Sequence, residues 1–292
     1  MKFGFIAEQR LIYPVVLLCR VMRVSRSGFY DYLSRRGREP SQREQGSVTL
    51  RNQITDIFEA SGKRYGSPRI HAELRKRGVV CSLKRVKRLM REAGIYALPK
   101  RKYRRRKTLE TLLATANLLV HKPEITRANQ VWYSDITFVR TEEGWLYLAA
   151  VMDAYSKRIV GYAMSDNMKT DLVVQALRMA IKQRHIPKGL IHHSDKGSQY
   201  TGYAYQPELA AWGMCPSFTG TGACLDNAYI ESFFATLKKE LVYQTSFANR
   251  EAARTAVSKF ILMYYNSWRL HSSLGYRCPN DFETQGLERL AA

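Results

Sequence analysis

The sequence predicts an α/β protein in which a mixed sheet, covered by helices on both faces, follows an all-helical first part. Two segments near the start carry the signals of helix-turn-helix units. From about Asn129 the residues become β-branched and aromatic, which is typical of strands. Amphipathic helices and short apolar strands then alternate, and this pattern favours a sheet between two helical layers.

The charge of the chain points to a polyanionic partner. The 292 residues include 47 Lys and Arg against 25 Asp and Glu, a net charge of +22. Residues 1–125 carry 29 basic and 10 acidic residues, whereas residues 126–292 carry 18 and 15. A charged surface that serves solubility alone is the other interpretation, but solubility does not require one sign of charge in one half. The distribution therefore favours nucleic acid as a partner.

Cysteine usage and hydropathy predict a soluble protein of the cytoplasm with no membrane association. The five cysteines form no Cys-x-x-Cys pair, which argues against a disulfide scaffold and a structural zinc site. The apolar run Val15–Cys19 is too short to cross a bilayer. Glu8 and Arg10 interrupt any pattern that resembles a signal peptide.

Two helix-turn-helix segments are predicted in the basic part. In the first, Val15–Met22 forms a short helix after Pro14, and Ser25 caps a second helix that runs to about Arg36. In the second, Ser67 and Pro68 begin a helix that ends at Gly78. Ser82 then caps a helix that ends at Gly94.

The last of these helices has the pattern of a recognition helix for the DNA major groove. One face is an apolar stripe, formed by Leu83, Val86, Leu89 and Met90. The remaining surface carries cations that we expect to contact DNA, namely Lys84, Arg85, Arg88 and Arg91. A solvated helix in a small bundle would show the same pattern and remains the alternative.

A strongly basic linker follows. Seven of the eight residues from Lys100 to Lys107 are cations. Such a segment is expected to lie along DNA phosphates, where it releases counterions, and the residues predicted to make these contacts are Arg101, Arg104, Arg105 and Arg106. A localisation signal or a plain solvated linker would look the same.

The second part of the chain reads as a three-strand antiparallel meander followed by alternating helices and strands. The predicted strands are Val131–Arg140, Trp145–Asp153, Arg158–Met164, Leu190–His193 and Cys215–Phe218. The predicted helices are Asp171–Gln183, Tyr203–Trp212, Ala228–Val242 and Arg250–Tyr265.

Three acidic residues stand out by position. Asp135 lies in mid-strand, where a carboxylate is disfavoured unless something binds it, and Asp195 follows the strand Leu190–His193. Glu231 lies one turn into a helix, from which it could reach the same edge of the sheet. Gathered carboxylates need a divalent cation, and oxygen-only ligands select Mg²⁺ or Mn²⁺. Taken singly, Asp195 could cap a turn and Glu231 could pair with a neighbour on its helix.

The surroundings of these acids resemble the OrfB transposases of bacterial insertion sequences, the insertion-sequence-three family, whose catalytic core is related to retroviral integrases. The resemblance covers nearly the whole chain. It is carried by the segments Tyr65–Ile70, Trp132–Phe138, His193–Tyr200, Asp226–Ala228 and Tyr265–Tyr276. Asp195 and Glu231 are separated by 35 residues, as in the family's D-D-E signature. Lys238 stands seven positions after Glu231, where the family carries a basic residue.

The resemblance implies an RNase-H-like core that catalyses metal-dependent DNA strand transfer. Asp135, Asp195 and Glu231 would be both the catalytic residues and the ligands of two Mg²⁺ ions, with Mn²⁺ as a substitute. Lys238 would contact DNA. The expected partners are the double-stranded terminal inverted repeats and target DNA, further copies of the chain on that DNA, and an upstream-frame OrfA protein. The expected location is the bacterial cytoplasm, in association with the nucleoid.

The expected organisation has four parts. An N-terminal helical segment spans residues 1–60, a second helix-turn-helix domain 61–99, a basic linker 100–125, and an integrase-type core with a C-terminal helical extension 126–292. His192 and His193 are expected to include at least one packing residue, Arg269 and His271 to contact DNA or close the fold, and Trp145 to lie in the core. A nuclease of the same fold that cuts without joining, and a catalytically silent DNA-binding regulator, are the alternative functions.

Overall fold

The computed structural model describes residues 2–36, 41–97, 117–119, 124–219 and 227–291. The predicted DNA contacts at Arg101, Arg104, Arg105 and Arg106 lie outside the described residues. Along the described part of the chain, no helix is long and apolar enough to cross a membrane.

The first helical unit packs three helices around a small apolar core. Its helices are α1 (Lys2–Gln9), α2 (Val15–Val21) and α3 (Arg26–Arg36). The predicted Ser25 cap is confirmed, because its Oγ accepts a hydrogen bond from the Gly28 N–H at 3.1 Å. The sequence did not predict α1, which supplies the fully buried Ile6.

The second helical unit consists of α4 (Gln42–Ala60), α5 (Ser67–Lys76) and α6 (Leu83–Glu92). The N-cap of α5 is Gly66 rather than Ser67, and the predicted Ser82 cap of α6 is confirmed by a 3.2 Å hydrogen bond from the Arg85 N–H. The long α4, which sequence reasoning missed, shares one apolar cluster with α5 and α6. The expected division between residues 60 and 61 therefore separates α4 from the helices against which it packs.

The rest of the chain builds the predicted mixed sheet. Its strands are β1 (Val131–Thr141), β2 (Gly144–Asp153), β3 (Ile159–Ser165), β4 (Ile191–Ser194) and β5 (Cys215–Phe218). Their order in the sheet is β3-β2-β1-β4-β5. The first three strands form the expected antiparallel meander, and β4 and β5 add parallel to β1.

Helices cover both faces of the sheet. The helix α7 (Thr170–Gln183) packs on one face, and α10 (Ala228–Glu240) and α11 (Arg250–Lys259) pack on the other. Helix α7 lies very close to β3, since a Cβ added at Gly161 would be 2.2 Å from the carbonyl oxygen of Ala176. Glycine at this position allows the helix and the sheet to approach so closely.

The helices differ from expectation in three places. The predicted helix Tyr203–Trp212 is shorter, α9 (Gln206–Ala211), and it follows a short helix that the sequence did not predict, α8 (Ser198–Thr201), which ends because the chain is extended at Gly202. The predicted helix Arg250–Tyr265 changes after α11 to a π-helical segment, Phe260–Tyr265. The sequence did not predict α12 (Pro279–Ala291).

Candidate active site and DNA-binding surface

The parallel pairing of β1 with β4 places two of the predicted acids side by side. Val131 pairs with Ile191 and Tyr133 with His193, so aligned residues differ by 60 in number. Continued by two residues, this register puts Asp195, just beyond β4, next to Asp135. Adjacent strands lie about 4.8 Å apart, and aligned residues of parallel strands point to the same face. That face is the one that α10 covers.

Asp135 is the partly buried member of the group. Burial raises its pKa to about 7, and the negative charges of Asp195 and Glu231 add to this shift. The N–H of Ile136, which donates to the Asp135 carboxylate at 2.7 Å, and the Lys238 ammonium act in the opposite direction. The carboxyl group of Asp135 thus interacts with all three of the other residues that the sequence singles out for this site.

Helix α10 supplies the third acid and the cation. Glu231 lies in the first turn of α10, where the helix dipole favours a carboxylate, and its pKa is raised by burial. Lys238 lies in the last turn, about two turns further along the same side. Burial lowers the pKa of Lys238, and the nearby Asp135 carboxylate partly offsets that effect.

Asp195 occupies an exposed turn shaped by glycine. The N–H of Gly197 donates to Asp195 Oδ1 at 3.1 Å, and a Cβ at Gly197 would lie 3.0 Å from that oxygen. A larger residue at this position would therefore crowd the carboxylate. Among the described residues, no three His, Cys, Asp or Glu side chains are close enough to form a complete metal site as they stand.

The two histidines of β4 are structural. His192 Nε2 lies 2.9 Å from the hydroxyl oxygens of both Ser134 and Tyr205, and burial lowers its pKa to about 3. His193 Nδ1 is 2.9 Å from Ser217 Oγ, which ties β4 to β5. Both side chains fix the strand that precedes Asp195, and the lowered pKa of His192 keeps that imidazole neutral.

Trp145 does not lie in the core as expected. Its side chain is 45% exposed, and Phe138 on the neighbouring strand is 50% exposed. The two rings are nearly perpendicular, with centroids 5.0 Å apart. Sequence reasoning missed this pair because strand alternation shows which face a residue occupies but not how far the covering helix extends.

The cationic surface of α6 is arranged as the sequence predicts. Val86, Leu89 and Met90 are buried against α4 and α5. The opposite side forms a shallow basic groove, lined by Ser82, Lys84, Arg85, Lys87, Arg88 and Arg91. Arg85 donates to Ser47 Oγ at 3.1 Å, and Arg88 pairs with Glu92. Lys87 was not among the predicted contacts, although its spacing of three residues from Lys84 places it in the same groove.

Two segments that the resemblance singled out, one near each end of the chain, meet in space. The ring of Tyr65 stacks on Trp268 with centroids 5.2 Å apart, and its hydroxyl donates to the Trp268 carbonyl at 3.0 Å. Arg69 Nε donates to the Leu270 carbonyl at 2.9 Å. The second helical unit (α4 to α6), called the helix-turn-helix unit from here on, is therefore docked on the C-terminal part of the core.

A buried ion pair lies beneath this contact, at the end of the helix that carries Glu231. Arg269 donates from Nε and Nη2 to the Glu240 carboxylate, with a shortest distance of 2.8 Å. The Tyr264 hydroxyl donates to the same carboxylate at 3.0 Å. Burial and the Arg269 charge lower the pKa of His271 to about 2, so this histidine is neutral. Of the two roles considered for Arg269 and His271, closing the fold is the one that the contacts support.

Family models match both the helical part of the chain and the part that contains the sheet. A family model described as an HTH-like domain matches residues 47–103, and two described as an integrase core domain match residues 125–224 and 213–279. The HTH-like match includes α4 from residue 47 onward, together with α5 and α6, against which α4 packs.

Similar proteins and structures were also found. The chain is 38% identical to the transposase InsF for insertion sequence IS3A of Escherichia coli strain K12, over 98% of this chain and 100% of that protein. It is 40% identical to an uncharacterized 31 kDa protein of insertion element IS600 of Shigella sonnei, over 91% and 97%. The HTLV-2 integrase catalytic core domain in complex with magnesium aligns with a TM-score of 0.41 at 14% identity, over 54% of this chain and 97% of that one.

Proposed function

Since this chain belongs to the family of IS3 insertion-sequence transposases, we propose that it cuts and joins DNA at a site built from Asp135, Asp195 and Glu231. The transposase activity and the integrase-type core come with the family. The observation that supports the assignment of residues is the pairing of β1 with β4, whose register continues to align Asp135 with Asp195. The pKa of Asp135 responds in addition to the charges of Asp195, Glu231 and Lys238.

The donor set fits a divalent cation. Three carboxylates supply only oxygen ligands, and their mutual repulsion contributes to the raised pKa of Asp135. Both features favour Mg²⁺, with Mn²⁺ as a substitute, held by these three side chains. When bound, two such ions lower the pKa of a hydroxyl nucleophile and stabilise the leaving oxygen in phosphoryl transfer.

The residues act on two successive displacements. In the first, water attacks the phosphorus at the element's 3′ end, and the broken P–O bond leaves a free 3′-hydroxyl. In the second, that hydroxyl attacks a target phosphodiester and displaces another 3′-oxygen. The three carboxylates would hold the divalent cations whose positive charge both steps require, while the Lys238 ammonium would donate to a phosphate oxygen beside them.

The helix-turn-helix unit would deliver the DNA ends. The groove on α6 presents exposed cations on a rigid helix, which suits the major groove of the terminal inverted repeats. Pairing of two ends requires more than one copy of the chain on DNA, and an upstream-frame OrfA protein is a further expected partner. As for other nucleic-acid enzymes of bacteria, the place of action would be the nucleoid.

A strand-transfer assay on labelled element-end DNA tests this proposal. With Mg²⁺ or Mn²⁺, the unmodified chain is expected to give products longer than the donor, because the freed 3′-hydroxyl is joined to a second duplex. Asp195→Asn is expected to bind the same DNA and give no such products. Asp171→Asn, which removes an exposed acid from α7 on the other face of the sheet, is the matched control and should remain active.

The outcomes separate the alternative functions. Cleavage without joining would show a nuclease, and binding without chemistry by the unmodified chain, also with an OrfA protein added, would show a regulator. Loss of activity in Asp171→Asn as well would mean that acidic charge in general, rather than this site, is required.

Lysine substitutions on α6 are expected to weaken DNA binding and to make the binding constant less dependent on salt concentration. Lys84→Gln and Lys87→Gln each remove one exposed cation from the groove. The plot of log K against log salt has a negative slope, and each substitution should make this slope less steep by about 0.9, the value for one phosphate contact on duplex DNA. Titrations by fluorescence anisotropy from low to moderate salt measure this slope. The control is Lys182→Gln, an exposed lysine of α7, and an equal loss there would contradict the assignment.

A further inference from the structure

An exposed aromatic pair lies beside the proposed active site, outside the two described apolar clusters that flank the sheet. Phe138 and Trp145 lie near the tip of the β1–β2 hairpin, on the sheet face opposite α10. Each ring leaves about half of its surface open to solvent. Exposed rings of this size are costly in water, and a contiguous pair of them is typical of a binding surface.

A single side chain connects this pair to the acids. The Nζ atom of Lys238 lies 4.6 Å from the centroid of the Phe138 ring, and the same ammonium interacts with the Asp135 carboxylate. The distance from the aromatic rings to the site of chemistry is therefore bridged by one lysine. β4 ends at Ser194, beside Ser134, and among the described residues no strand pairs with β1 on this side at Phe138. Lys238 can thus reach past the strand from α10.

A second cation, Arg250, lies next to Trp145. Arg250 Nε donates to the carbonyl oxygen of Trp145 at 3.1 Å, and the Arg250 N–H donates to Glu143. The surface thus combines two open aromatic rings with one cation next to each residue, Lys238 at Phe138 and Arg250 at Trp145. Aromatic faces between cations are the arrangement with which proteins hold single-stranded nucleic acid, because the rings stack on bases and the cations meet phosphates.

We propose that Phe138 and Trp145 form a stacking platform for one unpaired base of the DNA end, and that Lys238 contacts the adjoining phosphate. The proposal rests on the proposed function, since it places this base next to the phosphate that reacts. A base within the duplex has both faces covered by its neighbours, so only a base that has left the stack can meet these rings. The platform would thereby hold the end open while its 3′ strand reaches the acids.

A cross-strand pair that only stabilises the hairpin is the competing explanation. The two explanations differ in how binding depends on the DNA. A hairpin role would lower thermal stability and affect all DNA equally, whereas a stacking role depends on the presence of one particular base.

The test is a thermodynamic cycle between the protein and the DNA, measured as binding affinity without chemistry in the Asp195→Asn background. The protein variants are Trp145→Leu and Phe138→Leu, with Trp212→Leu as the control because Trp212 is 48% exposed and lies at the end of α9. The DNA ends carry a single abasic site at successive positions around the cleavage point. Melting curves accompany each variant to verify that it is folded.

Trp145→Leu is expected to bind the intact end about tenfold more weakly, since stacking on one aromatic ring is worth about that factor. With the abasic site at the stacked position, the same substitution should change the binding affinity by less than about twofold, because the base that stacks on Trp145 is then absent. Trp212→Leu should leave affinity unchanged for every DNA.

A loss of affinity that is the same for intact ends and for ends with an abasic site at any position would overturn the proposed platform. Unchanged affinity in folded Trp145→Leu and Phe138→Leu would overturn it as well. If the cycle shows coupling but the unmodified chain never joins DNA, the proposed function fails and the platform stands. If joining occurs without any coupling, the platform fails and the proposed function stands. Failure of the Asp195→Asn protein to bind any DNA end would overturn both.

Discussion

Asp135→Asn is expected to abolish strand transfer and, in the absence of a divalent cation, to make the protein more stable. The loss of activity should be on the order of 10³-fold or more, because charge stabilisation by metal ions at a phosphoryl centre is worth several kcal/mol. The gain in stability has a separate cause. Burial and the neighbouring acids disfavour the charged form of Asp135, and asparagine carries no charge.

The gain in stability depends on pH, in a direction that follows from the raised pKa of Asp135. The pKa of Asp135 is about 7 in the folded protein and 3.8 as its reference value. Between these values the folded state binds a proton that the unfolded state has lost, so rising pH weakens the fold through this window. Above about pH 7 the full cost applies, up to about 4 kcal/mol at 1.36 kcal/mol for each unit of pKa.

Urea unfolding of both proteins with a chelator present, at pH 5 and at pH 8, measures the effect. The free energy of unfolding of Asp135→Asn should exceed that of the unmodified chain by more at pH 8 than at pH 5. The control Asp171→Asn should give no comparable gain in stability at pH 8. Added Mg²⁺ should stabilise the unmodified chain and leave Asp135→Asn nearly unaffected, because an ion that binds only the folded state stabilises it. A difference that does not vary with pH would contradict the electrostatic explanation.

Asp135 could be found from sequence because it breaks a local rule, whereas Asp195 and Glu231 were singled out by their positions and by the resemblance that surrounds them. Asp135 interrupts a strand that is otherwise apolar and β-branched, and such violations are expected where function requires them. The strands themselves were predicted to within one or two residues because alternation and β-branched content depend only on neighbours in the chain. The strand Cys215–Phe218 was predicted with the bounds that the structure has.

Other features depend on contacts between distant residues and could not be predicted in this way. The pairing of Val131 with Ile191, which aligns Asp135 with Asp195, involves strands that are 60 positions apart. The exposure of Trp145 depends on where α7 ends on the sheet. Helix α4, by contrast, had a local signal that was overlooked, a capping box in which Ser41 and Glu44 satisfy each other's backbone N–H groups.

The docking of the helix-turn-helix unit belongs to the same class of long-range feature. Tyr65 and Arg69 belong to a segment that the resemblance assigned to DNA binding, yet both side chains contact the C-terminal part of the core. Arg69 Nη1 also lies 3.8 Å from the Glu240 carboxylate. Since Glu240 ends the helix that begins near Glu231, one rigid element connects the docked unit to the proposed active site.

Arg269→Met is therefore expected to be strongly destabilising. The substitution keeps an apolar side chain in the space but leaves the buried Glu240 carboxylate without its two-point partner, and breaking such a pair costs about 3–5 kcal/mol. The pKa of Glu240, now held low by Arg269, should rise, so that part of the loss is recovered at acidic pH, where the carboxyl group is protonated. Urea unfolding at pH 5 and pH 8 measures both effects.

The matched control is Arg178→Met, which removes an arginine whose ion pair with Glu208 lies at the surface. It should cost less than about 1 kcal/mol, because water screens an exposed pair. The double variant Arg269→Met with Glu240→Leu should be more stable than Arg269→Met alone, since the deeply buried Glu240 carboxylate is then removed together with its partner. If Arg269→Met costs no more than Arg178→Met, the ion pair does not hold the end of α10, and the path from the docked unit to Glu231 would have to run through the Tyr65–Trp268 stack instead.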